Sequence, residues 1–177
     1  MAGVKNHTSG EKLKRSDMIP LGSLTKAFTA AALAQQIEKG NMGWNDTLVS
    51  WADEIIMNDV GLNLTELFDP KYIGDVTLYH LVFMWSGLND YDDDDRKKQM
   101  MESPEYDPSP ADYLTSYNGS FACAPGTCHH YSSINFLLLQ YALAAANGAK
   151  TWEEYDEIGA VFPESIKNQF NQTRFIN

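Results

Sequence analysis

Basic residues are scarce in this sequence. Its 13 lysines and arginines face 24 aspartates and glutamates, a net charge of −11, and no stretch gathers enough positive charge to neutralise a run of phosphates. That argues against a nucleic-acid or anionic-membrane partner. Long hydrophobic runs are missing too: the longest are broken by polar residues well short of the roughly 20 needed to cross a bilayer, so no membrane span is expected. The first residues, MAGVKNHTSGEK, lack the apolar segment of a secretory signal. The expectation is either a cytosolic protein or a sequence whose true N-terminus is missing.

There are only two cysteines. Cys123 and Cys128 flank Ala124-Pro125-Gly126-Thr127, whose Pro-Gly pair fits the central positions of a type II turn, and residues on either side of such a turn can face each other at disulfide distance. Two free thiols in a reducing compartment are the alternative. N-x-S/T acceptor sites occur at Asn6, Asn45, Asn63, Asn118 and Asn171, more than the one or two that roughly a dozen asparagines give by chance. These sites and a disulfide would place the chain in an oxidising, glycosylating compartment, as a secreted or extracytoplasmic protein.

Metal ligands are not arranged for a metal. Cys123, Cys128, His129 and His130 are soft ligands, but C-x4-C-H-H is not a zinc spacing and adjacent histidines on a turn diverge. The acidic run from Asp90 to Asp95 begins like a calcium loop, then places Asp95 where glycine is required and Met101 where a bidentate glutamate is required. It reads as a solvated loop, partly offset by Arg96, Lys97 and Lys98. No metal and no cofactor are expected.

What is present is one domain's worth of chain, 177 residues, enough to bury roughly 70% of the unfolded surface around a single core. The stretch Ile19 to Gly40, IPLGSLTKAFTAAALAQQIEKG, reads as a helix with little polar face after its first turn, hence buried on most sides. Gly22 and Ser23 mark its start and Lys39-Gly40 its stop. Ser23 and Lys26, one turn apart, share a face. A serine hydroxyl becomes a nucleophile when a neighbouring base takes its proton, and a desolvated amine can be that base. An S-x-x-K match arises by chance about once in a few hundred residues, and Ser9-Gly10-Glu11-Lys12 is a second copy, read as loop for want of an apolar helix behind it. Taken alone, Ser23 and Lys26 fit an N-cap serine and a lysine reaching for solvent better than a catalytic pair.

Along the chain, residues 1 to about 18 hold at most one short strand. Trp44 to Trp51 should pack on the first helix, with Asp46 in a turn or cap. Asp53 to Phe68 has a mixed pattern with a short helix around Thr65 to Phe68. Asp75 to Trp85 reads as a second helix, capped by Asp75 or Thr77 and stopped at Ser86-Gly87, with Leu78, Leu81, Val82 and Trp85 in the core. His80 on that helix reads as a structural histidine. Met100 to Pro110 is an irregular connection, Ala111 to Tyr117 a short amphipathic helix, and Ile134 to Ala146 a strongly apolar helix closed by Asn147-Gly148. The tail from Lys150 breaks at Phe162-Pro163.

Three of these segments in this order resemble the serine β-lactamase-related family, which includes class C β-lactamases, D-alanyl-D-alanine carboxypeptidases and penicillin-binding proteins. PLGSLTKAFTAAALAQQIEKGNMGWNDTL resembles the nucleophile helix and the turn after it, VTLYHLVFMWSGLNDY a helix ending in a Ser-Gly-Leu turn, and FACAPGTCHHYSSINFLLLQYAL a P-G-x…Y-x-N block leading into a buried helix. The resemblance covers about residues 19 to 145 and reverses the reading of Ser23 and Lys26. It implies an α+β, β-lactamase/transpeptidase-like fold, of which residues 1–177 form a single partial domain: mainly the helical part, without most of the antiparallel sheet. It further implies that Ser23 is acylated, that Lys26 accepts its proton, and that Tyr131 passes a proton to the leaving group of a small-molecule or peptide ester or amide.

The sequence departs from that family twice. The position that usually holds asparagine to grip the substrate is Ser133, whose hydroxyl donates and accepts but has shorter reach. The third motif, K-T-G or H-x-G on the strand beside the nucleophile, has no counterpart after Tyr131, and with it goes a second oxyanion donor, an interaction worth about a hundredfold or more in rate. The sequence therefore reads as a fragment of a serine hydrolase. The rival expectations are a non-catalytic binding or structural module with a degenerate site, and a helical interaction domain with coincidental motifs.

Overall fold

A computed structural model describes residues 3–19, 21–91, 98, 102–103 and 108–170. The chain opens with a small antiparallel hairpin, β1 (Val4–Asn6) paired with β2 (Glu11–Lys12), Val4 opposite Lys12 and Asn6 opposite Glu11. Two strands stand where the sequence suggested one at most. They close because Asn6 Oδ1 accepts the Thr8 and Ser9 N–H groups at 2.8 and 3.1 Å, and Gly10 takes a positive φ of 71°. The second S-x-x-K copy lies in this hairpin, with Lys12 in β2 and no helix behind it.

A 3₁₀ turn, Gly22–Thr25, runs into α1 (Lys26–Glu38). α2 (Leu48–Val60), α3 (Leu64–Leu67) and α4 (Leu78–Val82) follow, then α5 (Pro110–Ser116), α6 (Ile134–Ala146), α7 (Glu157–Val161) and α8 (Glu164–Lys167). Local chemistry sets the starts. Thr47 Oγ1 accepts the Ser50 N–H to cap α2, and capping boxes begin α3 (Asn63 with Glu66), α4 (Thr77 with His80) and α5 (Ser109 with Asp112, Pro110 next). His80 is thus a structural group, its Nδ1 accepting the Thr77 N–H at 3.2 Å.

α6 is the centre of the molecule. Leu138, Leu139, Tyr141, Ala142, Leu143 and Ala144 have no exposed surface, so it is apolar nearly all round, as a helix packed on every side must be. α2 lies along it through Leu48, Ala52, Ile55 and Ile56, and α1 and α4 flank it. α7 packs on α1.

Three expectations need correction. α1 fully buries only one stripe, Thr29, Ala32, Leu33 and Gln36, with most of the rest half-buried; Leu24 is 68% exposed, because it lies on the 3₁₀ turn, none of whose residues is buried. The long helix α2 occupies a stretch whose pattern looked mixed. Trp85 is exposed, not core: α4 ends at Val82, Phe83 is its C-cap, and Met84 turns the chain with φ 59°, which takes Trp85 off the buried face of Leu78 and Leu81. The acidic run beyond Tyr91, and most of the Met100 to Pro110 connection, lie outside the described residues.

Candidate active site

Ser23 sits on the 3₁₀ turn ahead of α1, where Gly22 adopts φ 53° and Thr25 Oγ1 donates to the Gly22 carbonyl at 2.8 Å. This places Ser23 at the surface and Lys26, the first residue of α1, half-buried beside it. Lys26 Nζ donates to Ser23 Oγ at 3.3 Å. The segment before α6 closes on the pair from the other side. Tyr131 OH is 2.8 Å from Ser23 Oγ, and Ser133 Oγ accepts from Lys26 Nζ at 3.4 Å. Residues more than a hundred positions apart in the sequence thus converge in one hydrogen-bonded cluster: Ser23, Lys26, Tyr131 and Ser133.

Lys26 Nζ lies over the rings of Tyr131 and Phe136, 5.3 and 5.7 Å from their centroids. Tyr131 is half exposed. Its phenol is held below the ordinary value, first by the hydrogen bond to Ser23 and next by that to Lys26, both of which favour phenolate; burial opposes them.

A scaffold from the α4–α5 loop holds this segment in place. The Ser133 N–H donates to Asp90 Oδ1 at 3.0 Å and Ser132 Oγ to the Asn89 carbonyl at 2.9 Å. Tyr117 OH donates to the same Asn89 carbonyl at 2.7 Å. Below, Ser86 Oγ bonds Asn135 Oδ1 and accepts the Leu88 N–H. Gly87, at φ 79°, admits no side chain, because a Cβ would strike the Cys123 carbonyl. Met84, at positive φ, takes the His130 N–H on its carbonyl at 3.0 Å and the Asn135 amide on its sulfur at 3.2 Å. Cys123 and Cys128 are joined by a disulfide three residues before Tyr131.

Sequence reasoning missed Asp90 and Met84. Asp90 was legible only as the head of an acidic run, although it closely follows the Ser-Gly-Leu turn; nothing in a methionine announces a positive φ. Among the described residues, no group of three or more His, Cys, Asp and Glu side chains could hold a metal ion, and no helix is long and apolar enough to cross a membrane.

An exposed serine at the head of a helix, bonded by a lysine one turn on and by a tyrosine from the segment before a second buried helix, is the arrangement of the penicillin-recognising serine proteins. The chain belongs to the beta-lactamase family, whose model matches residues 1–157. No curated protein matches it. Among solved structures it is similar to a D-stereospecific amidohydrolase from Streptomyces sp., at 20% identity and TM-score 0.62, over 85% of this chain and 42% of that one. It is likewise similar to a penicillin-binding protein from Bacillus halodurans, at 24% identity and TM-score 0.62, over 86% of this chain and 42% of that one. The chain spans less than half the length of either structure. The fold is the β-lactamase/transpeptidase fold, represented here mostly by its helices, with one two-stranded sheet among the described residues.

Proposed function

We propose that this chain is a single partial domain of a serine hydrolase that forms an acyl-enzyme on Ser23, with an ester or amide as substrate. The observation that carries this reading is the cluster itself: Ser23 Oγ within 2.8 Å of Tyr131 OH and 3.3 Å of Lys26 Nζ. Ser23 Oγ attacks the carbonyl carbon as its proton leaves along these bonds, and the proton is then delivered to the departing alkoxide or amine as the carbonyl–heteroatom bond breaks. The sequence resemblance gives Lys26 the acceptor role. The shorter contact and the lowered phenol pKa bring Tyr131 into that step, with the hydrogen bonds to Ser23 and Lys26 favouring phenolate. Ser133 Oγ accepts from Lys26 Nζ, and the resemblance gives its position the grip on the substrate. Water then cleaves the acyl-enzyme by the reverse proton path.

Met18, Ile19, Leu21 and Leu24 are 43–68% exposed around Ser23. An apolar margin of this kind fits a sheet packed beside the nucleophile in the complete domain, which would carry the second oxyanion donor. The test is hydrolysis of an activated ester by the complete protein. Ser23→Ala should abolish turnover and the serine acyl adduct seen by mass spectrometry; retained turnover would refute the assignment. The second reading, a non-catalytic binding module, is favoured by Ser133 in place of asparagine. It predicts that wild type and Ser23→Ala are equally inert.

A further inference from the structure

Four of the five N-x-S/T asparagines, Asn6, Asn45, Asn63 and Asn118, play no part in the catalytic cluster, and the structure separates them from the other described asparagines; Asn171 lies outside the described residues. Asn6, Asn45 and Asn118 are exposed and Asn63 is half-buried. Where these side chains are hydrogen-bonded, the oxygen does the bonding. Asn6 Oδ1 accepts the Thr8 N–H, Asn63 Oδ1 accepts Thr65 Oγ1 and the Glu66 N–H, and Asn118 Oδ1 accepts the Ser120 N–H. None of the four donates from Nδ2 to a described residue. Among the described residues, the asparagines outside such sites use Nδ2, alone or together with Oδ1. Asn41, Asn58, Asn89, Asn135 and Asn147 each donate from Nδ2, to Gln36, Lys150, Ser120, Met84 and Leu143; exposed Asn168 is the exception.

An N-linked glycan replaces one hydrogen of Nδ2 and leaves Oδ1 as an acceptor. At Asn6, Asn63 and Asn118 it would cost the fold no hydrogen bond, and the α3 cap would survive. At Asn89, Asn135 or Asn147 the sugar would have to share Nδ2 with a bond inside the structure, leaving that nitrogen one hydrogen in place of two. The disulfide between Cys123 and Cys128 is the second mark of the same compartment. We propose that Asn6, Asn45, Asn63 and Asn118 are N-glycosylation sites. Nδ2 bonds to the anomeric carbon of a lipid-diphosphate-linked oligosaccharide, the bond from that carbon to the phosphate oxygen breaks, and the amide proton goes to a base of the transferase. Asn118 also lines a cleft with Asp90, the residue that anchors Ser133.

The test is to route the full chain through a eukaryotic secretory pathway and map peptides with and without peptide-N-glycosidase, which converts each glycosylated asparagine to aspartate, a gain of about 1 Da. Glycans at Asn45 and Asn118, lost in Thr47→Ala and Ser120→Ala, are expected; unmodified Asn45 and Asn118 would overturn the proposal. Ala149→Thr makes Asn147 an acceptor site whose Nδ2 is already used. Its secreted, Asn147-glycosylated yield should fall about tenfold below that of the Asn118-glycosylated chain. Equal yields would show that spare amide nitrogens do not mark the acceptors.

Discussion

Tyr131 ties the cluster to pH. Its folded pKa lies below the ordinary phenol value of about 10, and Ser23 and Lys26 are the main causes. The phenolate that accepts a proton is therefore gained as pH rises through a midpoint below that value. Lys26→Ala removes one of the three groups, Ser23, Lys26 and Ser133, that lower it. The rate of Ser23 acylation should drop, and its pH midpoint should move upward; an unmoved midpoint would separate Tyr131 from the proton path. Glu157 shifts the other way. It is buried, with Oε2 accepting from Gln140 at 3.0 Å, and burial raises its pKa against the hydrogen bonds from Thr29 and Gln140. The folded state holds its proton more tightly than the unfolded chain, so stability is full below the unfolded carboxyl pKa and declines as pH rises through the folded one. Glu157→Gln should raise the melting temperature at pH 7 and leave it unchanged near pH 4. At this scale the grouping of Ser23, Lys26, Tyr131 and Ser133 was legible through the family resemblance, since S-x-x-K spacing alone did not distinguish a catalytic pair. Glu157 was not: its burial depends on α7 folding back over α1 and α6.

Elements were legible in proportion to how continuous their apolar faces are. α6 was readable to its ends, Ile134 and Ala146, because only Asn135 and Gln140 interrupt its apolar run. α2 was not, because Asp53, Asn58 and Asp59 interrupt its pattern. Each has work at a distance: Asp53 Oδ1 accepts the Leu64 N–H at 2.7 Å, Asn58 donates to the Lys150 carbonyl, and Asp59 accepts the Trp152 N–H. Such partners are tertiary, and local periodicity does not contain them. Leu138→Ala, in the fully buried face of α6, should cost about 2–5 kcal/mol in denaturant unfolding. Replacing both Cys123 and Cys128 by serine opens a short loop, at a cost of about 2 kcal/mol in the chain-entropy account. It should also slow acylation of Ser23, since the loop leads directly into Tyr131.

For the whole molecule, the family and the helical part of the fold followed from the order of three segments, whereas the N-terminal hairpin and the exposed apolar margin around Ser23 did not. Both depend on which neighbours a residue meets after the chain has folded. The central claim is that this arrangement activates Ser23. Its most direct measurement is the intact mass of the chain after exposure to a serine-reactive fluorophosphonate, beside Ser23→Ala and a melting curve. The account predicts a single adduct on a cooperatively folded wild-type chain and none on the variant. A cooperatively folded chain that takes up no reagent, or an adduct that persists in Ser23→Ala, would contradict it.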